Sequence, residues 1–224
     1  MTRVGLTQRV TVVEEYGERR DCLDQAWTPL LETSGYVPIQ LPNRIDNVDQ
    51  YLETLGLDGV LLTSGNDLAH LEDASNPAPE RDQFETAVLD WALDSSVPVL
   101  GVCRGLEFLN VYFGGSLSPV EGHVATEHAV EFSSVPQTTP VSGDTSLDLP
   151  ARVDVNSYHE YALNPADVPD PLEIVGVAPD ETVECVVHRT QPVSGIMWHP
   201  ERETPSRDVD RQLFQWLFGG KTHD

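Results

Sequence analysis

Residues 99–105 read VLGVCRG and set a thiol between two glycines at the end of an apolar run. A cysteine acts as a nucleophile through its thiolate, and it needs a backbone that presents the sulfur to substrate. Pro98 to Val102 has the short, valine-rich pattern of a buried strand, within a strand expected over Val97 to Val102. From there on, Leu106, Leu109, Val111, Tyr112 and Phe113 recur near helical spacing. Cys103 therefore falls where a strand passes into a helix. Gly101 and Gly105 let the chain take a strained turn that projects the side chain, the thiol counterpart of a G-x-S-x-G elbow. The helix N-terminus that follows favours the thiolate.

Such a nucleophile needs a base, and the base needs a group to orient it. The stretch GIMWHPERE, residues 195–203, supplies both: Ser194 to Trp198 reads as a strand, and Pro200 stops it. His199 and Glu201, two residues apart at that strand end, can point into one pocket. Cys22 and Cys185 read as small buried hydrophobes, and the cysteines show no metal-type spacing. His123 and His128 lie before a strand and read as structural. Nothing in the pattern implies a metal or a cofactor. The polar stretch YGERRDCLDQ, residues 16–25, reads either as a pocket rim or as a solvated helix start.

The elements that must position these groups alternate in type. Strands are expected at Val4 to Thr7, Val37 to Leu41 and Gly59 to Leu62. Helices are expected at Asp21 to Thr33, Val48 to Leu55 and Pro79 to Asp94, with a loop from Thr63 to Pro79. Alternation of this kind builds a parallel sheet covered on both faces, with its site at the carboxyl ends of the strands. The second half changes character, with strands at His128 to Phe132, Arg152 to Val155, Glu173 to Ala178 and Val183 to His188. Pro136 to Pro150 reads as a surface loop, and a last helix runs from Pro205 to Phe218. The expected fold is α/β, a three-layer, doubly wound and mostly parallel sheet with added antiparallel strands in the C-terminal half. No repeat or linker divides residues 1–224, so one domain is expected.

Asp and Glu number 37 against 13 Lys and Arg, for a formal net charge of −24, and the only lysine is Lys221. Nucleic acid is an unsuitable partner for such a chain, because phosphate binding needs clustered cations. No apolar stretch reaches the roughly 18 residues of a membrane span, and the N-terminus has no signal-like apolar region. A soluble cytoplasmic protein is expected, adapted to high salt that screens its self-repulsion. Its oligomeric state is not legible.

The elbow at Cys103, followed about 96 residues later by Trp198-His199-Pro200-Glu201, resembles the class I glutamine amidotransferase fold, which is flavodoxin-like. The C-R-G-L-x-x-x-N form and the VNSYH run at 155–159 most resemble its γ-glutamyl-γ-aminobutyrate hydrolase branch, peptidase family C26. The resemblance implies Cys103 as nucleophile, His199 as general base and acid, and Glu201 orienting the imidazole. It implies oxyanion donors from the backbone N–H of Arg104 and of Gly65, in a TSGND loop similar to the family's S-G-G-N-D. Substrate contacts are implied at Glu107, Asn156, Ser157, Tyr158 and His159. Two positions depart from the family pattern. Glu107 stands where the family carries Gln, and His159-Glu160-Tyr161 replaces H-H-Q.

The implied reaction cleaves a γ-glutamyl C–N bond of a small-molecule substrate through a cysteinyl thioester. The resemblance leaves open whether the chain supplies ammonia to a separate synthetase or is a stand-alone hydrolase that releases a free amine. A catalytically silent binding scaffold is a third reading, disfavoured because the Cys-His-Glu set is intact. The charge by itself makes a prediction. As salt falls from molar to about 0.1 M, the Debye length grows from about 3 Å to about 10 Å, and carboxylate repulsion should lower the melting temperature. A melting temperature unchanged over that range removes the high-salt reading.

Overall fold

The computed structural model describes residues 1–133 and 147–219. Its strands are β1 (Thr2–Leu6), β2 (Arg9–Val13), β3 (Glu18–Cys22), β4 (Tyr36–Gln40), β5 (Gly59–Leu62), β6 (Val99–Val102), β7 (Ser118–Pro119), β8 (Val124–Phe132), β9 (Arg152–Tyr158), β10 (Tyr161–Ala162), β11 (Leu172–Val177), β12 (Val183–His188) and β13 (Val193–Ile196). The helices are α1 (Trp27–Thr33), α2 (Val48–Leu55), α3 (Pro79–Asp94), α4 (Arg104–Tyr112) and α5 (Asp208–Phe218). A nine-stranded sheet runs β4-β1-β5-β6-β13-β12-β11-β8-β9. From β4 to β13 every neighbour is parallel; from β13 to β9 every neighbour is antiparallel.

Side-chain alternation divides the core between the two faces of the sheet. Leu61, Leu100 and Val102 pack with α1 and α5 through Leu31, Leu213 and Phe218. Val60, Leu62 and Val99 pack with α2, α3 and α4 through Leu52, Val88 and Leu109. The three-layer mixed fold expected from the sequence is therefore the fold observed. Strands β5, β6 and β13 are buried along their whole length and lack the period-2 alternation of a half-exposed sheet. No helix among the described residues is long and apolar enough to cross a membrane.

Several boundaries differ from expectation, and each difference has a local cause. Helix α1 starts at Trp27 rather than Asp21, because residues 18–22 form the second strand of a β-hairpin instead of a helix start. In that hairpin β2 and β3 pair from Arg9↔Cys22 to Val13↔Glu18, turning at Gly17, whose φ is +71°. Strand β3, ERRDC, is almost wholly exposed and carries no hydrophobic alternation to announce it. Cys22 is consequently half-buried at the edge of this hairpin, not a core residue, whereas Cys185 is buried as expected. Helix α5 begins at Asp208, not Pro205. Strand β8 begins at Val124, so His128 lies within a strand rather than before it. The expected Pro136 to Pro150 loop lies mostly outside the described residues; Leu147 and Leu149 at its end pack against the core.

The last helix is tied to the strand end that carries His199. Asp210, in the first turn of α5, accepts a hydrogen bond from Trp198 Nε1 (2.8 Å) and one from the Arg207 backbone N–H (3.2 Å). Burial pushes its carboxyl up to about 6, against the Trp198 hydrogen bond and the Arg207 charge. A raised carboxyl pKa means that the folded chain holds a proton which the unfolded chain, at about 3.9, releases. Between pH 4 and pH 6 this group should therefore cost a growing amount of stability, up to about 3 kcal/mol, and the cost should level off above pH 6. In urea titrations at several pH values, wild type should lose ground to Asp210→Asn across that window. A difference between them that is independent of pH would contradict the assignment.

Candidate active site

Cys103 occupies the elbow predicted for it. Its φ of +53° and ψ of −108° lie outside the regions an L-residue prefers, strain that the flanking structure must hold in place. Its backbone N–H donates to Ile196 O at 2.8 Å, extending the parallel pairing of β6 with β13 by one step beyond Ile196↔Val102. The flanking glycines are needed for close approach. A Cβ on Gly101 would sit 2.5 Å from the Gly105 carbonyl oxygen, and one on Gly105 would run into the Leu62 carbonyl oxygen. Helix α4 can press its first turn onto the ends of β5 and β6 only because both side chains are missing.

Strand pairing brings His199 to the same end of the sheet, since β13 leaves the sheet beside β6 and reaches His199 three residues beyond Ile196. Its Nδ1 lies 2.7 Å from Glu201 Oε1, and both residues are buried. A carboxylate oxygen only accepts, so Nδ1 carries the proton and Nε2 keeps its lone pair. That Nε2 is buried and has no hydrogen-bond partner. Asn156 fixes the backbone on both sides of the ring: its Oδ1 accepts from His199 N (2.8 Å) and its Nδ2 donates to His199 O (2.9 Å). The Tyr158 ring meets the imidazole edge-on at 5.6 Å between centroids, and the Arg202 guanidinium lies over the phenol ring at 4.0 Å.

The electrostatics differ from the sequence expectation. Burial, and then the charge of Glu107, push the Cys103 thiol well above its ordinary value, against a hydrogen bond from the Arg104 backbone N–H. At rest the group is a thiol and not a thiolate, so the short α4 N-terminus does not outweigh burial. Glu107 is itself buried, and burial raises its carboxyl to about 7 against the charges of His159 and Arg104. Near neutrality part of the population is uncharged. A neutral carboxyl offers one donor and one acceptor, as a Gln amide does.

Sequence reasoning missed the charged array beneath these groups. Arg81 on α3 is fully buried. It pairs with Glu85 at 2.9 Å and donates to the carbonyl oxygens of Thr63, Ser64 and Gly65. Glu85 also pairs with the Arg104 guanidinium, which reaches Asp82 as well. Burial opposes the charge on Glu85, but Arg104 and Arg81 together hold its carboxyl below the usual range. One network thus spans the loop after β5, α3 and the first residue of α4. Because Arg81 takes the Ser64 carbonyl, the Gly65 N–H in the same trans peptide points away from Arg81. Gly65 has a φ of +86°, and Arg9 of the β2–β3 hairpin lies over it. The hairpin is joined to this loop by mutual hydrogen bonds between Asn66 and Val10, so its Arg9–Val10 end lies against the loop that carries Gly65.

The remaining predicted residues divide. Glu107 lies one turn after Cys103 and acts electrostatically on its thiol. Tyr158 touches the His199 ring, while Asn156 holds His199 instead of facing outward. Ser157 turns to donate to the His123 carbonyl at 2.7 Å. His159 instead groups with the buried His123 and Glu184 and the half-buried His128. Asp82, Arg81 and Glu85 carry the pattern of a polar α3 face, and in a sequence such a face reads as solvated.

Comparison with known proteins places this geometry in context. The peptidase C26 family model matches residues 4–201. The chain is 30% identical over 217 residues to γ-glutamyl-CDP-amidate hydrolase of Campylobacter jejuni, covering 96% of each chain. It is 29% identical over 236 residues to γ-glutamyl-γ-aminobutyrate hydrolase of Escherichia coli, covering 92% of this chain and 89% of that one. Among solved structures, a glutamine amidotransferase of Thermotoga maritima superposes with a TM-score of 0.64 at 16% identity, over 96% of this chain and 81% of that one. A Thermoplasma acidophilum protein described as a GMP synthase subunit does so with 0.68 at 20%, over 98% and 93%.

The buried array makes a testable demand. Glu85→Ala should leave two buried guanidinium groups short of their carboxylate and cost about 3–5 kcal/mol in urea unfolding. The exposed Glu18–Arg20 pair serves as control, and Glu18→Ala should cost under about 1 kcal/mol. Equal losses would mean that the array carries no special weight.

Proposed function

The chain belongs to the peptidase C26 family, and from that premise we propose that it hydrolyses a γ-glutamyl C–N bond through a thioester on Cys103. The observation that supports this most directly is His199: Glu201 fixes its tautomer, Asn156 fixes its backbone, and its Nε2 is left free beside the strand end that bears the thiol. In this reading Cys103 Sγ attacks the γ-carbonyl carbon while His199 Nε2 takes the thiol proton. A base acting during attack is required, because the resting group is a thiol. The oxyanion is met by the N–H groups of Arg104 and Gly65. As the C–N bond breaks, His199 returns the proton to the departing nitrogen. Water then attacks the thioester, His199 accepts its proton, and glutamate leaves as the thiol is restored.

Glu107 and Tyr158 border this centre and contact the substrate. Neutral Glu107 supplies the donor and acceptor that a Gln side chain would. We favour a stand-alone hydrolase that releases a free amine, since two relatives matched over about nine-tenths or more of both chains are named as hydrolases of γ-glutamyl compounds. A second reading, supply of ammonia to a separate synthetase, draws on a Lactococcus lactis relative named as glutamine amidotransferase-like, 30% identical over 210 residues.

The experiment is glutamate release from glutamine and from a panel of γ-glutamyl amines in molar salt. A γ-glutamyl amine should be turned over at least about tenfold more efficiently than glutamine in kcat/KM. Cys103→Ala should abolish release, Cys185→Ala should preserve it, and Glu107→Gln should retain it. Glutamine as the preferred substrate would favour the second reading. Release that survives in Cys103→Ala would sink the mechanism.

A further inference from the structure

A second group of chemistry-bearing side chains lies apart from Cys103, His199 and Glu201. His123, His128, His159 and Glu184 direct one ligand atom each toward a common point, and these atoms all lie within 4.8 Å of one another. His123 Nδ1 is 3.2 Å from His159 Nε2. Glu184 Oε1 is 3.5 Å from His128 Nε2, 3.5 Å from His159 Nε2 and 3.9 Å from His123 Nδ1. The fold assembles them without help from sequence proximity. The β8–β9 pairing sets His123 opposite His159, whose N–H bonds the His123 carbonyl, and β12 brings Glu184 beneath them.

The protons in this group do not balance. His159 Nδ1 faces the Tyr161 carbonyl at 2.7 Å, His128 Nδ1 faces the Ala129 carbonyl at 3.2 Å, and His123 Nε2 faces Asp180 Oδ2 at 2.8 Å. Carbonyl and carboxylate oxygens accept only, so each outer ring nitrogen carries the proton and each inner nitrogen of a neutral ring presents a lone pair. Ser157 cannot supply the missing donor to His123, because its hydroxyl proton is given to the His123 carbonyl. Both Glu184 oxygens and His128 Nε2 are buried without a hydrogen-bond partner, and Glu184 is 1% exposed. With the three rings neutral, four acceptors converge, and the buried carboxylate among them has no donor.

We propose that His123, His128, His159 and Glu184 bind a divalent transition-metal cation, zinc(II) or a close analogue. Imidazole-rich donor sets suit zinc and its neighbours, whereas magnesium and calcium prefer oxygen. In a tetrahedral site with bonds of about 2.0–2.1 Å, donor atoms stand roughly 3.4 Å apart. Four of the six separations run from 3.2 to 3.9 Å and bracket that value, and all six lie within 4.8 Å, so the wider ones close with side-chain shifts of about 1 Å. Asp180, Tyr161 O and Ala129 O are the outer partners that orient metal-bound histidines. Three histidines and a carboxylate fill a four-coordinate shell, so the site is structural. It fastens the β8–β9 hairpin to β12, and that hairpin carries Asn156, the residue that holds His199.

Metal content and binding test this independently of hydrolase activity. Wild-type protein freed of metal by a chelator should bind one zinc per chain in calorimetry and show the intense visible bands of four-coordinate cobalt when loaded with cobalt(II). Zinc at a hundredfold excess over Kd should raise its melting temperature by about 5–10 °C. Glu184→Gln and His128→Gln should each weaken binding at least about a hundredfold. Asp180→Asn, which removes no ligand, should weaken it by about tenfold or more, so a variant that fails to fold leaves the test intact. Cys103→Ala should bind as wild type does. Absence of zinc binding by folded wild type overturns the proposal, and so does zinc that is lost with Cys103→Ala but retained in His128→Gln.

Discussion

The structure around Cys103 depends on a charge array placed where water is excluded. Arg81, Glu85 and Arg104 are each buried almost completely, and desolvation opposes the charge of every one. Such an array is tolerated only when each charge has a partner in good geometry. Here the partners lie on different elements, so satisfying them fixes those elements relative to one another. Arg81 gathers the carbonyls of residues 63–65 at the exit of β5, and Arg104 anchors the first turn of α4 to α3. Hydrophobic packing alone, being non-directional, would not orient the peptide planes of that loop.

The strain at Cys103 follows from the same arrangement. A residue with positive φ persists only where its surroundings over-determine it. Here the Cys103 N–H is held by Ile196, its carbonyl accepts the first helical bond from Glu107, and Arg104 immediately after it is locked by two carboxylates. His199 is over-determined in a comparable way by Asn156, Glu201 and the Tyr158 ring. Its neighbour Trp198 is tied to α5 through Asp210. Both halves of the centre are thus carried on rigid strand ends and do not rely on loop geometry.

The β8–β9 hairpin joins two sites. Asn156 points from it to His199, and three residues later His159 points into the histidine–glutamate group. Adjacent residues of a strand face opposite sides of the sheet, and here Ser157 and His159 turn to His123 while Asn156 turns to His199. A stretch that reads as one substrate loop in the sequence therefore serves two separate purposes in the fold.

The sequence by itself determined the architecture and the family, and it singled out the residues on which the proposed chemistry rests. Buried strands are short valine-rich runs, α3 and α5 carry apolar stripes, and a thiol between two glycines at a strand-to-helix joint leaves few other conformations. The His199-Pro200-Glu201 end was legible because the proline terminates the strand beside it. What stayed hidden has a common physical reason. Strand β3 of the β2–β3 hairpin is polar throughout, so no hydrophobic period marks it. Arg81, Asp82 and Glu85 look like a solvated helix face until α3 is packed against α4 and the β5 loop. The histidines at 123, 128 and 159 and Glu184 lie on or beside three different strands, and only the register of β8 on β9 and the placing of β12 bring their lone pairs together. Pairing of charges and counting of protons are properties of distance, and tertiary structure alone decides those distances.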